Sequence, residues 1–197
     1  DIDKRLEQYC DMDTDWNIIQ TLLSMDNVYR VSKMPSWYNQ YVFEGAQGLM
    51  LDQNNKEYYP HLTPSNTGIK NVRDILVEND MQGEDIEVVY VTRSYATRHG
   101  AGLLKLEVKD KSEISKDIVE KTNVTNKYQQ GFRFGYFNPA EVVKAVKKDM
   151  MNLDGLNVKV RMAITHLDQT GGKLACPKCQ VEPQDFIKNM IGLDSWY

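Results

Sequence analysis

Ile86-Glu87-Val88-Val89-Tyr90-Val91 is the stretch on which the fold turns. β-branched and aromatic residues dominate it, so it reads as a β-strand. The glycine-containing loop Arg98-His99-Gly100-Ala101-Gly102 follows. Upstream, Ile69 to Asn79 reads as a helix. Before that, residues 52–68 are polar and turn-rich, a long loop with no period of its own, and long ordered loops in compact domains are usually functional. Downstream, Ser112 to Lys121 predicts a short helix. Asn138-Pro139-Ala140-Glu141 is a helix start in which Asn caps, Pro fits the first turn and Glu closes a capping box. That helix continues through Val142, Val143 and Val146 to about Met151, and Asp154-Gly155 ends it. Val158, Val160, Met162 and Ile164 then alternate with polar residues as a second strand, ending at Thr165-His166-Leu167-Asp168.

Three further elements complete the reading. Trp16, Ile18, Ile19, Leu22 and Leu23 form a helical apolar stripe behind Asp13-Thr14. Tyr41-Val42-Phe43 is a short buried-strand signal running into Glu44-Gly45-Ala46-Gln47-Gly48. A last helix, about Gln184 to Ile191, follows Pro183. Strands alternating with helices give an α/β fold, and residues 1–197 are expected to form one domain. The polar, glycine-containing segments follow strands at their carboxyl ends, where open α/β sheets hold ligands.

Composition narrows the function. Of 197 residues, 41% are hydrophobic and 26% charged, which is ordinary globular composition. The net charge of −4 makes a poor general polyanion binder, so no nucleic acid is expected. No run of about 18 apolar residues occurs, so no membrane span is expected. The N-terminus, Asp1-Ile2-Asp3-Lys4-Arg5-Leu6, has no signal-peptide core and no initiator Met, and reads as a cut or processed end. Three Cys do not make a disulfide framework, so the expected setting is the reducing cytoplasm. Cys176-Pro177-Lys178-Cys179 is half of a zinc knuckle, weighed against a pair of loop thiols. Lys144, Lys147 and Lys148 read as a solvated helix face.

Two stretches could carry chemistry. In Glu44–Gly48 the glycines allow close backbone approach to a ligand, and the Gln47 amide both donates and accepts; a plain strand-to-turn segment is the competing reading. Thr63-Pro64-Ser65-Asn66-Thr67 is a run of small hydrogen-bonders that could cradle phosphate oxygens or form a solvated turn.

Taken together and in order, Glu44-Gly45-Ala46-Gln47-Gly48, Leu51-Asp52, Tyr59-Pro60 and Thr63-x-Ser65-Asn66-Thr67 resemble the signature of the adenylosuccinate synthetase family. Thr92 to Gly102 resembles its Tyr-x-Thr-Arg-x-Gly-x-Gly segment. Ile164-Thr165-His166-Leu167-Asp168 resembles its Thr-Lys-Leu-Asp guanine-reading strand end. Gly131-Phe132-Arg133-Phe134-Gly135 resembles its arginine-rich segment. The resemblance implies the C-terminal portion of a P-loop-NTPase-like mixed sheet with flanking helices. It also implies purine biosynthesis: a GTP-dependent ligation of aspartate to IMP, with Mg2+ as cofactor and a homodimer as assembly. By position, Gln47 and Thr63 would contact IMP, with Gln47 catalytic. His99 and Gly100 would line the same nucleotide through backbone, His166 and Asp168 would hold guanine, and Arg133 would serve the aspartate and nucleotide loop.

The departures are equally specific. The family's phosphate loop, with its catalytic Asp and Mg2+ ligands, and its catalytic His are not found in this chain. Activity is therefore not expected of it alone. Gln130 and Phe132 stand where the family carries arginines, and a neutral side chain cannot replace a bidentate guanidinium. His166 stands where it carries Lys. These changes bring dGMP beside IMP, and ATP beside GTP, as expected ligands. A non-catalytic purine-nucleotide-binding domain is the alternative class.

Overall fold

The computed structural model describes residues 38–121, 123, 131–177 and 180–191, with Gln20 and Met34. The helix expected from the stripe Trp16 to Leu23 falls, but for Gln20, outside them. Nearly all described residues belong to the compact unit Val42–Tyr197. The elements alternate as an α/β chain: α1 (Lys70–Glu78), β1 (Ile86–Arg93), β2 (Ala96–His99), β3 (Phe132–Gly135), α2 (Pro139–Met150), β4 (Val158–Thr165), β5 (Leu174–Ala175), β6 (Gln180–Val181) and α3 (Pro183–Asp185). α3 runs directly into a π-helical turn, Phe186–Ile191.

β1 and β4 pair in parallel, Ile86 opposite Val158 through Arg93 opposite Thr165. Side chains alternate across a strand, so Val88 and Tyr90 turn inward beside Val160 and Met162, while Val91 on the other face stays 68% exposed. The inward face meets Val142, Val143 and Val146 of α2, together with Phe137, Leu174, Phe186, Ile187 and Ile191. Phe137 and Phe186 meet edge to face with centroids 5.1 Å apart. Each fully buried side chain of this size contributes roughly 1.5–3 kcal/mol. β2 and β3 form an antiparallel pair, as do β5 and β6.

The start of α2 follows the expectation in part. Asn138 Oδ1 accepts from the Glu141 N–H at 3.3 Å, with Pro139 in the first turn. The reciprocal half of the box is not made. The Glu141 carboxylate turns to the Tyr58 hydroxyl and to Lys105, which stands 3.0 Å away. Two strong partners outside the helix win over one backbone N–H. Burial, and next the charge of Glu57, hold the Glu141 carboxyl above its usual range. Asn138→Ala is expected to cost about 1 kcal/mol, visible as a fall of roughly 2–4 °C in a thermal melt.

Two expected elements are corrected. Tyr41-Val42-Phe43 is no strand: residues 41–46 are irregular and Val42 is 91% exposed. A strand needs a ladder partner, and among the described residues this run has none. Ser112–Lys121 holds only a 3-10 turn, Lys111–Glu113, closed by a capping box on Asp110. Beyond it the Ser115 hydroxyl accepts the Asp117 N–H at 3.1 Å, a local bond that competes with the helix. Ile118 instead drops into the interior at 2% exposure.

A buried carboxylate ties the long loop to these layers. Asp149 of α2 accepts from the Ile69 N–H at 3.1 Å and from the Tyr90 hydroxyl at 2.9 Å. Burial first, then the Asp149 charge, push the Tyr90 phenol far above its ordinary value, so it stays a donor. Among the described residues no helix is long and apolar enough to cross a membrane.

Candidate functional site

The carboxyl ends of β1 and β4 open into a cleft of about 450 Å³, lined by Arg93, Glu120, Lys121, His166, Asp168 and Gln169 among others. Its floor is set by backbone. Directly after β4, His166 takes the left-handed conformation, φ 62°, which costs a residue other than glycine of order 1 kcal/mol and needs support. The support comes from Ser94, fully buried after β1. Its hydroxyl donates to the His166 carbonyl at 2.8 Å, and its N–H donates to the Thr165 carbonyl at 2.9 Å. Tyr95 donates to Gln169 Oε1 at 2.9 Å and meets the His166 ring edge-on at 5.8 Å. The wall carries Arg93, ion-paired with Glu120 at 3.2 Å and lying 5.4 Å from the Phe132 ring centre. Burial, then the Arg93 charge, hold the His166 imidazole below its ordinary value, with Asp168 and Glu120 opposing.

A second locus gathers the other expected residues. Gln47 is exposed and makes no hydrogen bond among the described residues. The loop after it is knit by Asp52, whose carboxylate accepts the N–H groups of Asn54 at 2.8 Å and Thr67 at 2.9 Å. Burial raises the Asp52 carboxyl, and these donors together outweigh it, so it lies below its usual range. The Thr63 N–H donates to the Leu51 carbonyl at 2.9 Å, and its hydroxyl lies 3.4 Å from that of Ser65.

Arg98 joins this loop to the glycine turn after β2. It donates to the carbonyls of His61 at 2.8 Å and Ala101 at 2.9 Å. Gly102 has φ 104°, and a Cβ there would stand 2.7 Å from the His61 Cβ, so only glycine fits the contact. Arg133 lies opposite Arg98 in the β2–β3 register. Burial, then Arg133, hold the Arg98 guanidinium below its ordinary value. Arg133 in turn grips the Glu107 carboxylate with Nε and Nη2, and donates from Nη1 to the carbonyls of Gly100 at 2.9 Å and Gly102 at 2.8 Å. The His99 ring packs on Phe132 at 4.8 Å, with Nε2 3.1 Å from Asn123 Oδ1.

Thr63, His99, Gly100 and Arg133 thus belong to one connected set, and His166 with Asp168 to the cleft. Sequence reasoning passed over Arg98, Glu107, Ser94 and Asp149. Arg98 was the one with a signal, as the arginine of the Thr-Arg-x-Gly segment. Cys176 is described and Cys179 is not, so the zinc knuckle lies partly outside the described residues. Among those residues no three His, Cys, Asp or Glu side chains stand close enough to hold a metal ion.

The pattern of adenylosuccinate synthetase matches residues 1–173. The chain belongs to the adenylosuccinate synthetase family. It is 33% identical over 84 residues to the adenylosuccinate synthetase of Hydrogenobaculum sp. (strain Y04AAS1). That alignment covers 43% of this chain and 20% of the relative's length. The matched range includes the residues that line the cleft and those of the loop set.

Proposed function

We propose that this chain supplies the nucleotide-binding part of a ligase that joins L-aspartate to a purine monophosphate, IMP in the first instance, using GTP. In that reaction the 6-oxygen of the purine is phosphorylated. The aspartate amine then forms the C–N bond as the C–O bond breaks and phosphate leaves. Such a transfer depends on fixed donors aimed at the moving charge.

The observation that carries this reading is the cleft at the carboxyl ends of β1 and β4, where Asp168 stands beside His166 on a backbone turn held by Ser94. A carboxylate suits the paired N–H donors of guanine, N1–H and N2–H₂. Exposed Gln47, ahead of a loop stiffened by Asp52, is free to meet the monophosphate base, and Thr63 and the Gly100 turn flank that path. In this reading Arg133 serves the nucleotide loop by shaping the Gly100–Gly102 turn, to whose carbonyls it donates. The cytoplasm and a homodimer belong to the same proposal.

Calorimetric titration of the chain with IMP, dGMP, GTP and ATP, with and without Mg2+, tests it. One monophosphate is expected to bind, and Gln47→Ala to weaken that binding about tenfold, roughly 1.4 kcal/mol. A folded sample that takes up none of the four would overturn the reading.

A further inference from the structure

Arg133 and Arg93 hold their carboxylates differently. Arg133 spends its whole fork, Nε and Nη2 on Glu107 and Nη1 on two carbonyls. Arg93 makes a single-point contact: Nη1 donates to Glu120 Oε2 at 3.2 Å, at the long end of the range for such a bond. No carbonyl and no second carboxylate is bonded to its guanidinium among the described residues. The Phe132 and Tyr95 ring centres lie 5.4 and 6.0 Å from its Cζ and fix where the charge stands. No nitrogen of Arg93 is both buried and unpaired, so its unspent N–H groups are accessible where the residue lines the cleft.

Glu120 can release Arg93 without being stranded. Its other oxygen, Oε1, accepts the Asn123 N–H at 3.1 Å, a bond within its own segment. Breaking an ion pair is costly chiefly when the remaining charge is left without a partner. The segment is also tied down apart from the pair: Ile118 is buried at 2% exposure, and the Ser115 hydroxyl accepts the Asp117 N–H. Charge decides what would replace Glu120. Asp117, Glu120 and Asp168 line the cleft against Arg93 and Lys121. With Glu120 on Arg93, acid outweighs base and an anion is repelled. With Glu120 withdrawn, Arg93 offers the planar fork that matches a phosphoryl group. A phosphoryl group carries a charge of about −2, which outweighs a single carboxylate at the same cation.

We propose that Arg93 is a phosphoryl-binding residue of this cleft and that Glu120 is its internal competitor, so that whichever of the two anions holds the guanidinium excludes the other. The inference rests on the nucleotide reading above only in taking the cleft as a ligand site; it concerns the charged group of the ligand and not its base. The competition sets a threshold. A singly charged anion gains nothing over the carboxylate already within reach, whereas a phosphoryl group displaces it and frees the segment at Glu120, with Ile118 as the point that stays fixed.

The test is calorimetric titration of the whole chain with inorganic tripolyphosphate at low ionic strength, repeated with GTP and ATP. Glu120→Gln keeps an acceptor for the Asn123 N–H and is expected to tighten tripolyphosphate binding about fivefold or more, because the competing state is removed. Asp117→Asn removes the same charge from the same cleft without touching Arg93, and should change the affinity far less. Glu120→Asp keeps the charge but draws the carboxylate back from Arg93, so it should tighten binding too. Arg93→Met fills the space beside the rings without the charge. It should lose most of the binding, and in that background Glu120→Gln should do no more than Asp117→Asn. A thermal melt confirms that each variant is folded. A Glu120→Gln effect no larger than that of Asp117→Asn, or binding that survives Arg93→Met, overturns the inference. If tripolyphosphate shows the competition and no nucleotide binds, the nucleotide reading falls and the inference stands. If the nucleotides bind and neither Arg93→Met nor Glu120→Gln alters their affinity or that of tripolyphosphate, the reverse holds.

Discussion

Gly68→Ala is expected to destabilise the chain by about 3 kcal/mol or more, a drop of roughly 6–12 °C in the melting temperature. A Cβ at Gly68 would fall inside the carboxylate of Asp149, 2.6 Å from even its farther oxygen. Asp149 cannot retreat. It is 8% exposed, and its oxygens hold the Ile69 N–H, the Tyr90 hydroxyl and the Asn152 amide. Displacing it leaves a buried charge and a buried phenol short of partners, each costly on its own. Gly48→Ala is the control. Gly48 has extended backbone, and nothing lies within 4 Å of an added Cβ there. A Gly68→Ala protein that melts with the control would show that the loop and α2 do not meet in this way.

Arg133→Ala is expected to cost about 2–3 kcal/mol, on the scale of hydrogen bonds to charged groups, and to release the turn that holds Gly100 and Gly102. Arg133→Lys should not restore either property. One ammonium cannot reproduce a planar fork set against a carboxylate and two carbonyls. Chemical denaturation gives the stability, and purine monophosphate titration reads the turn. A Lys variant equal to wild type in both would sink the argument. Acid adds an independent check. The hydrogen bond from Arg133 holds the Glu107 carboxyl below its usual range, against a smaller opposing effect of burial. Its contribution is therefore present above the unfolded value of about 4.3 and is lost as pH falls through the folded value. The Arg133→Ala protein should lose less of its remaining stability than wild type over that acid window.

Much of the scaffold was legible because periodicity reports burial directly. Alternating residues placed β1 and β4, and Asn138-Pro139 placed the start of α2. Tyr41-Val42-Phe43 misled because three apolar residues describe a strand only if a neighbour receives them. Ser112–Lys121 misled because Ser115 satisfies its own backbone locally. The motif residues of the cleft were legible by type, but what holds them was not. Ser94 looks like any loop serine until it is seen under the His166 carbonyl. Asp149 looks like any polar helix residue until Gly68, eighty-one positions earlier, is seen to make room for it. For Arg133 the sequence shows which donors the residue has, but not that the fold brings the Glu107 carboxylate and the carbonyls of Gly100 and Gly102 to them.

The parallel pairing of β1 with β4 joins residues 72 apart, from Ile86 to Val158. Closing so long a loop costs chain entropy before any ladder bond is made, so such contacts form slowly and late in folding. β2, β3 and α2 all lie between the two strands in sequence. The cleft exists only where those strands end together, so it is present only once this long-range pairing has formed. Whatever binds there meets only molecules in which the two strands are already paired, and holds that pairing in place by mass action.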